Sequence, residues 1–286
     1  MSVAKDRPER ILIVSLGSRG DVQPYIALGK ALLAAGYEVV IGSSANHKTI
    51  VESFGVPFFG TFLDVQQFLE ENGTMKEAMA QGNVVKFTAG FGEGVVDNAV
   101  LHYSKFKEVM NEFKPDLVIC GMLVDNYCAS TLFYYDIPVF ILQLNYTPPS
   151  PKRMTLGLPN LPFGLNAWVM QNIIMAGMWD GIVKADKVAG EVAGHKITEM
   201  IKWRFLIVEE ADDPNVIPRL MAMPSKWAEA MYPGHKPSVK FVGSMALTAV
   251  EQEEVASSNV RTDFGYAGEL ERVRAFVAAG TKPIFL

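Results

Sequence analysis

Five short apolar runs do most to restrict what this chain can fold into. They are ILIVSL from Ile11, EVVIGSS from Glu38, VPFFGTF from Val56, KPDLVICGM from Lys114 and IPVFILQL from Ile137. They have strand length and β-branched residues, and they do not alternate cleanly between polar and apolar positions. Helical patterns lie between them: IALGKALLAAG, NHKTIVESFG and DNYCASTLFYYD. Strands that stay apolar on both faces and are joined by helices predict an α/β fold, a parallel sheet covered on both sides. Each crossover should be right-handed. Pro24 is expected in the first turn of the first helix, where its missing N–H costs nothing, and Gly36 should end that helix. Between Asp64 and Phe113 the sequence reads as helices broken by glycines, notably at TAGFGEG.

The middle of the chain reads differently. NYTPPSPKRMTLGLPNLPFG, from Asn145, is too rich in proline for anything but a long loop. LNAWVMQNIIMAGMWDGIV, from Leu165, is an apolar helix of nearly membrane-spanning length. Asn166, Gln171, Asn172, Gly177 and Asp180 interrupt it, which favours a helix lying on the domain, shaping an apolar pocket or touching a bilayer surface. A charged helix follows, then two short strand candidates around Leu220 and Val239. TAVEQEEVASSNVRTDFGY, from Thr248, has the composition of a linker. GELERVRAFVAAG is a helix stopped by Gly280, and the chain closes on TKPIFL. A net charge of −5 leaves no excess of cations for a general nucleic-acid binder. The two cysteines, Cys120 and Cys128, are too few for a disulfide framework. The polar start predicts a cytoplasmic protein, and on that reading the sequons at Asn72 and Asn145 are chance matches.

At the end of the first strand stands SLGSRGDVQPY. A glycine-rich turn that opens a helix offers outward N–H groups and the positive end of a helix dipole, a natural anion site. The dinucleotide fingerprint G-x-G-x-x-G is absent, which disfavours an oxidoreductase domain. A carboxylate in this loop lies at the carboxyl edge of the sheet, where open α/β folds bind ligands. From position alone, Asp21 reads more readily as a helix-capping residue than as a catalytic one.

GSRGDVQPYIALGKAL, with GYEVVIGS behind it, resembles the opening of the sterol and glycopeptide glycosyltransferases, the glycosyltransferase 28 group of the GT-B fold. PDLVIC, DIPVFILQLNYTPP, VKFVGSM and the final GTKPIFL extend the resemblance more loosely. It implies a Rossmann-like domain, residues 1–245, that binds the acceptor. Residues 246–286 would then be a linker, a helix and the first strand of a donor domain otherwise outside this chain. It further implies an inverting, UDP-sugar-dependent hexosyltransferase. Such an enzyme would transfer a sugar such as glucose to a sterol, lipid or other hydrophobic acceptor, with no metal and no cofactor. Asp21 matches the family's base, where related plant-type enzymes carry histidine. Gly17, Ser18, Arg19 and Gly20 would face the donor phosphates.

For the acceptor, Asn145, Tyr146 and Thr147 should line the crevice beyond the strand that ends at Leu144. Trp168, Met170, Met175 and Trp179 would form an apolar wall or pack into the core; an apolar pocket with polar groups at its mouth suits a lipid with one hydroxyl. His47 is expected on the surface at the start of the second helix. His102, His195 and His235 have no partner apparent in the sequence, and no metal or ATP motif occurs. A lipid-binding module of the same fold without catalysis is the alternative.

Overall fold

The computed structural model describes residues 8–62, 64–121, 124, 135–144, 160–166, 219–224, 226, 239–257 and 267–280, with single positions at 184, 187, 188 and 191. Among them, strands β1 (Arg10–Val14), β2 (Glu38–Ser44), β3 (Phe58–Phe62), β4 (Leu117–Gly121), β5 (Val139–Gln143), β6 (Arg219–Met221) and β7 (Val239–Phe241) form one sheet. Its order is β3-β2-β1-β4-β5-β6-β7, and every pairing is parallel. Strand order reverses direction at β1, which pairs with β2 on one side and β4 on the other. The five expected strands are all present, as are the two short candidates around Leu220 and Val239.

Burial explains why the strands do not alternate in polarity. Leu12 and Val14 face one layer with Val118, Cys120 and Ile141, against Tyr103, Phe106 and Val109 of α6 (Ala99–Phe113). Ile11 and Ile13 face the other layer with Ile41 and Ile119, against Val22, Tyr25 and Ile26 of α1 (Arg19–Ala34) and Ile50 of α2 (Lys48–Ser53). Apolar side chains are needed on both faces. Cys120 is a buried free thiol within β4.

Several local expectations change. Helix α1 begins at Arg19, so Pro24 lies inside it and not in its first turn. Ser18 and Asp21 open the helix early, and the price is the bond that a residue-24 N–H would have given the Gly20 carbonyl. Gly36, at φ 87°, follows the helix as expected. Helices α3 (Val65–Glu71) and α4 (Gly73–Ala80) precede α5 (Val84–Asp97), which runs through TAGFGEG without a break. The glycines there make room for neighbours. A Cβ on Gly90 would lie 2.8 Å from Met75 Cγ, and one on Gly94 would lie 2.1 Å from Phe68 Cζ. Part of the acidic stretch expected as linker is helix α7 (Ala249–Ala256), opened by a Thr248–Glu251 capping box. Leu247 and Val255 join the core layer beneath α1, and Lys30 of α1 pairs with Glu251. The Lys30 ammonium, with the Thr248 backbone and hydroxyl, holds the Glu251 carboxyl down at about 2. Helix α8 (Ala267–Ala279) meets α7 through Arg274 and Glu253.

His47 is buried, which corrects its expected surface position. A 3-10 turn over Ala45–His47 folds the ring back until Nδ1 lies 3.2 Å from Ser43 Oγ. His102 is also buried, edge-on to Phe62 with ring centroids 5.1 Å apart. Burial pushes its pKa down to about 4. The unfolded chain, with an ordinary histidine near ~6.5, therefore binds a proton that the folded chain refuses. Stability should fall as pH drops from about 6.5 toward 4, by about 2 kcal/mol between pH 7 and pH 5 from this group. Urea unfolding at the two pH values, compared with His102→Leu, checks this; the variant should lose that part of the slope.

Candidate active site at the end of the first strand

The loop between β1 and α1 leaves the sheet where strand order reverses, so its residues border the crevice between β1 and β4. Gly17 adopts φ 133°, a conformation that favours glycine. A Cβ there would lie 2.3 Å from Asp21 Oδ2, so the glycine also makes room for the carboxylate.

Asp21 is the third residue of α1 and is partly exposed. The Ser18 N–H donates to Asp21 Oδ2 at 2.7 Å and the Ser18 hydroxyl donates to the same oxygen at 3.0 Å. The Asp21 N–H returns a bond to the Ser18 carbonyl at 2.9 Å. From below, the Ser15 hydroxyl donates to the Asp21 carbonyl at 3.0 Å. Oδ1 takes part in no hydrogen bond among the described residues. The two oxygens of the carboxylate therefore differ. One closes the helix start, and the other is left with lone pairs that can accept a proton.

The remaining loop residues are placed as follows. Ser18 is exposed, but its N–H and hydroxyl both turn to Asp21. Arg19 is partly buried, and its Nε donates to Gln23 Oε1 one turn along α1 at 3.2 Å. Gly20 is exposed beside it. Asn145, Tyr146, Thr147, Trp168, Met170, Met175 and Trp179 lie outside the described residues, as do His195 and His235.

Other side chains hold this edge of the sheet. The Tyr25 hydroxyl, buried under α1, donates to the Leu142 carbonyl of β5 at 2.6 Å. Gly121 of β4 lets it pass, since a Cβ there would come within 3.0 Å of that oxygen. Ser43, Ser44 and Thr61 are buried at the same edge on β2 and β3, and Ser44 Oγ has no hydrogen-bond partner among the described residues. The sequence reading passed over Ser15, Tyr25 and these β2–β3 hydroxyls; the signal available was their position at or just beyond strand ends. By contrast Asp116, of the PDL run, works at the opposite end of the sheet. Its Oδ2 accepts from the Arg10 N–H at 3.0 Å and the Glu9 N–H at 3.1 Å, which fixes the start of β1. Among the described residues no group of three or more His, Cys, Asp or Glu is arranged to hold a metal ion, and no helix is long and apolar enough to cross a membrane.

A seven-stranded parallel sheet packed between two apolar layers is Rossmann-like, the fold of the glycosyltransferase structures compared below. The segment carrying β1 to β4 matches the model of the glycosyltransferase family 28 N-terminal domain over residues 11–120. The chain is 36% identical over 121 residues to a sterol 3-beta-glucosyltransferase of Saccharomyces cerevisiae (strain YJM789), covering 41% of this chain and 9% of the yeast protein. It is 26% identical over 286 residues to an uncharacterized glycosyltransferase of Mycobacterium leprae (strain TN), covering 96% of this chain and 59% of that one. Among solved structures, the glycotransferase of kitacinnamycin shares the fold with a TM-score of 0.53 at 16% identity, over 85% of this chain and 54% of that chain. The calicheamicin glycosyltransferase CalG4 gives 0.51 at 14% identity, over 83% and 52%. The chain thus spans less than two thirds of the length of each of these proteins.

Proposed function

We propose that this chain is the acceptor-binding half of an inverting glycosyltransferase that uses a UDP-sugar, with Asp21 as the general base. The acceptor hydroxyl attacks the anomeric carbon while its proton passes to Asp21 Oδ1. The new C–O bond forms as the bond from the anomeric carbon to the diphosphate oxygen breaks, and the nucleoside diphosphate leaves with the electron pair. A base placed in this way supplies ~10²–10⁴-fold. The observation that carries the reading is the division of labour within one carboxylate, with Oδ2 held by Ser18 and Oδ1 unbonded at the edge of the sheet.

A sterol or other lipid carrying one hydroxyl is the proposed acceptor. Its support is the similarity to a sterol 3-beta-glucosyltransferase and the apolar character of residues 165–183. The donor site belongs, on this reading, to a second domain that follows α8. The test is transfer from UDP-glucose to a panel of sterols and hydroxyl-bearing lipids, by a protein in which this chain is joined to the remainder of its mycobacterial relative. Product of inverted anomeric configuration, read by NMR, is expected. Product of retained configuration would remove Asp21 from the role of base, and lipid binding without transfer would favour a non-catalytic module.

A further inference from the structure

Ser15 follows the apolar run Ile11–Val14 and is itself 1% exposed, a place where an apolar side chain would be easier to bury than a hydroxyl. The hydroxyl donates to the Asp21 carbonyl at 3.0 Å. The Ser15 main chain is fixed as well, since its N–H donates to the Gly42 carbonyl of β2 at 3.0 Å. Ser15 therefore ties the peptide that carries the Asp21 side chain to the sheet, across a loop in which Gly17 stands at φ 133°. The bond is made to main chain, so it does not depend on the carboxylate. The Tyr25 hydroxyl ties α1 to the sheet one turn further along, at Leu142 of β5.

We infer, on the reading of Asp21 as the base, that Ser15 is a positioning residue for sugar transfer. Its hydroxyl fixes the Asp21 peptide against the end of β1 and so holds the unbonded Oδ1 in one place at the edge of the sheet. Ser18 does not do this alone. Its N–H and hydroxyl orient the carboxylate within the loop, but Ser18 is exposed and is itself part of that loop. Ser15 belongs to the buried end of a strand whose ladder with β2 continues through it. A proton acceptor that drifts from hydrogen-bonding distance loses rate and not substrate affinity, because the misplacement is felt where the proton is transferred.

Hydrogen exchange on the full 286-residue chain reads the hold on Asp21 without any reaction. Ser15→Ala should speed exchange of the Ser18 and Asp21 amides, which close the turn, about tenfold. Ser15→Thr keeps the hydroxyl and should restore the wild-type rates. Kinetics in a protein that carries both domains read the consequence. Ser15→Ala should lower kcat about tenfold with KM unchanged, and Ser15→Thr should recover it. In an Asp21→Asn background Ser15→Ala should lower kcat no further, because the base it positions is gone. Ser53→Ala is the matched control, removing a hydroxyl that donates to the Ile50 carbonyl of α2 at 2.8 Å; it should lose stability and keep wild-type kcat. Any of four results overturns the role: unchanged exchange in Ser15→Ala, a folded Ser15→Thr that behaves like Ser15→Ala, an equal loss of kcat in Ser53→Ala, or a further loss from Ser15→Ala in the Asp21→Asn background. Full kcat in Ser15→Ala beside a loss in Asp21→Asn overturns the positioning role alone. Full kcat in Asp21→Asn overturns the base reading, and with it any part for Ser15 in transfer.

Discussion

Asp21→Asn, made in a protein that carries both domains, should lower kcat by ~10²–10⁴-fold while leaving acceptor affinity nearly unchanged. Asparagine is close in shape, and its amide oxygen can still accept from the Ser18 N–H and hydroxyl at the Oδ2 position. The helix start is therefore preserved. What disappears is the proton acceptor at Oδ1, which an amide NH₂ cannot replace. Losing an interaction made only in the transition state lowers kcat and kcat/KM together. Circular dichroism and thermal unfolding should show a folded protein. A folded variant with wild-type kcat would end the assignment of Asp21 as base and leave it a capping residue.

Gly17→Ala should do more damage, on two counts. Its backbone at φ 133° imposes strain on any L side chain, on the order of 1–3 kcal/mol. Its new methyl would also lie 2.3 Å from Asp21 Oδ2, so the carboxylate must move or the loop must open. Gly36→Ala is the control. That glycine also has positive φ, 87°, but a Cβ there meets nothing within 4 Å. Both variants should lose stability in urea unfolding, but only Gly17→Ala should also lose sugar transfer, approaching the level of Asp21→Asn. Full activity in Gly17→Ala would mean that the position of the carboxylate does not matter to the reaction.

What could be read from the sequence divides along physical lines. The sheet was legible because strands buried on both faces must be apolar throughout, and Ile11 to Val14 meet that demand by sending alternate residues to opposite layers. Glycines misled at TAGFGEG because a glycine records either a chain break or a close neighbour, and only the packing of Met75 and Phe68 tells which. Thr248-x-x-Glu251 was a capping box in plain view, but the acidic composition around it pointed to a linker. Asp21 could be placed at the sheet edge from sequence, and capping and catalysis looked like alternatives. The geometry allows both, because a carboxylate has two oxygens. His47 shows the opposite limit, since nothing in the sequence ANHKT announces that a 3-10 turn will bury the ring against Ser43.

Helix α1 is held at three points along its length: by Ser15 and Ser18 around Asp21, by the Tyr25 hydroxyl on β5, and by Lys30 on α7. A carboxylate carried on a helix so tethered has little freedom left to lose when a ligand arrives. The entropy of fixing it was surrendered when the chain folded, so a partner that meets it need order only itself. Adjustment on encounter must then come from whatever approaches the crevice, while the first loop serves as the fixed reference against which that approach is made.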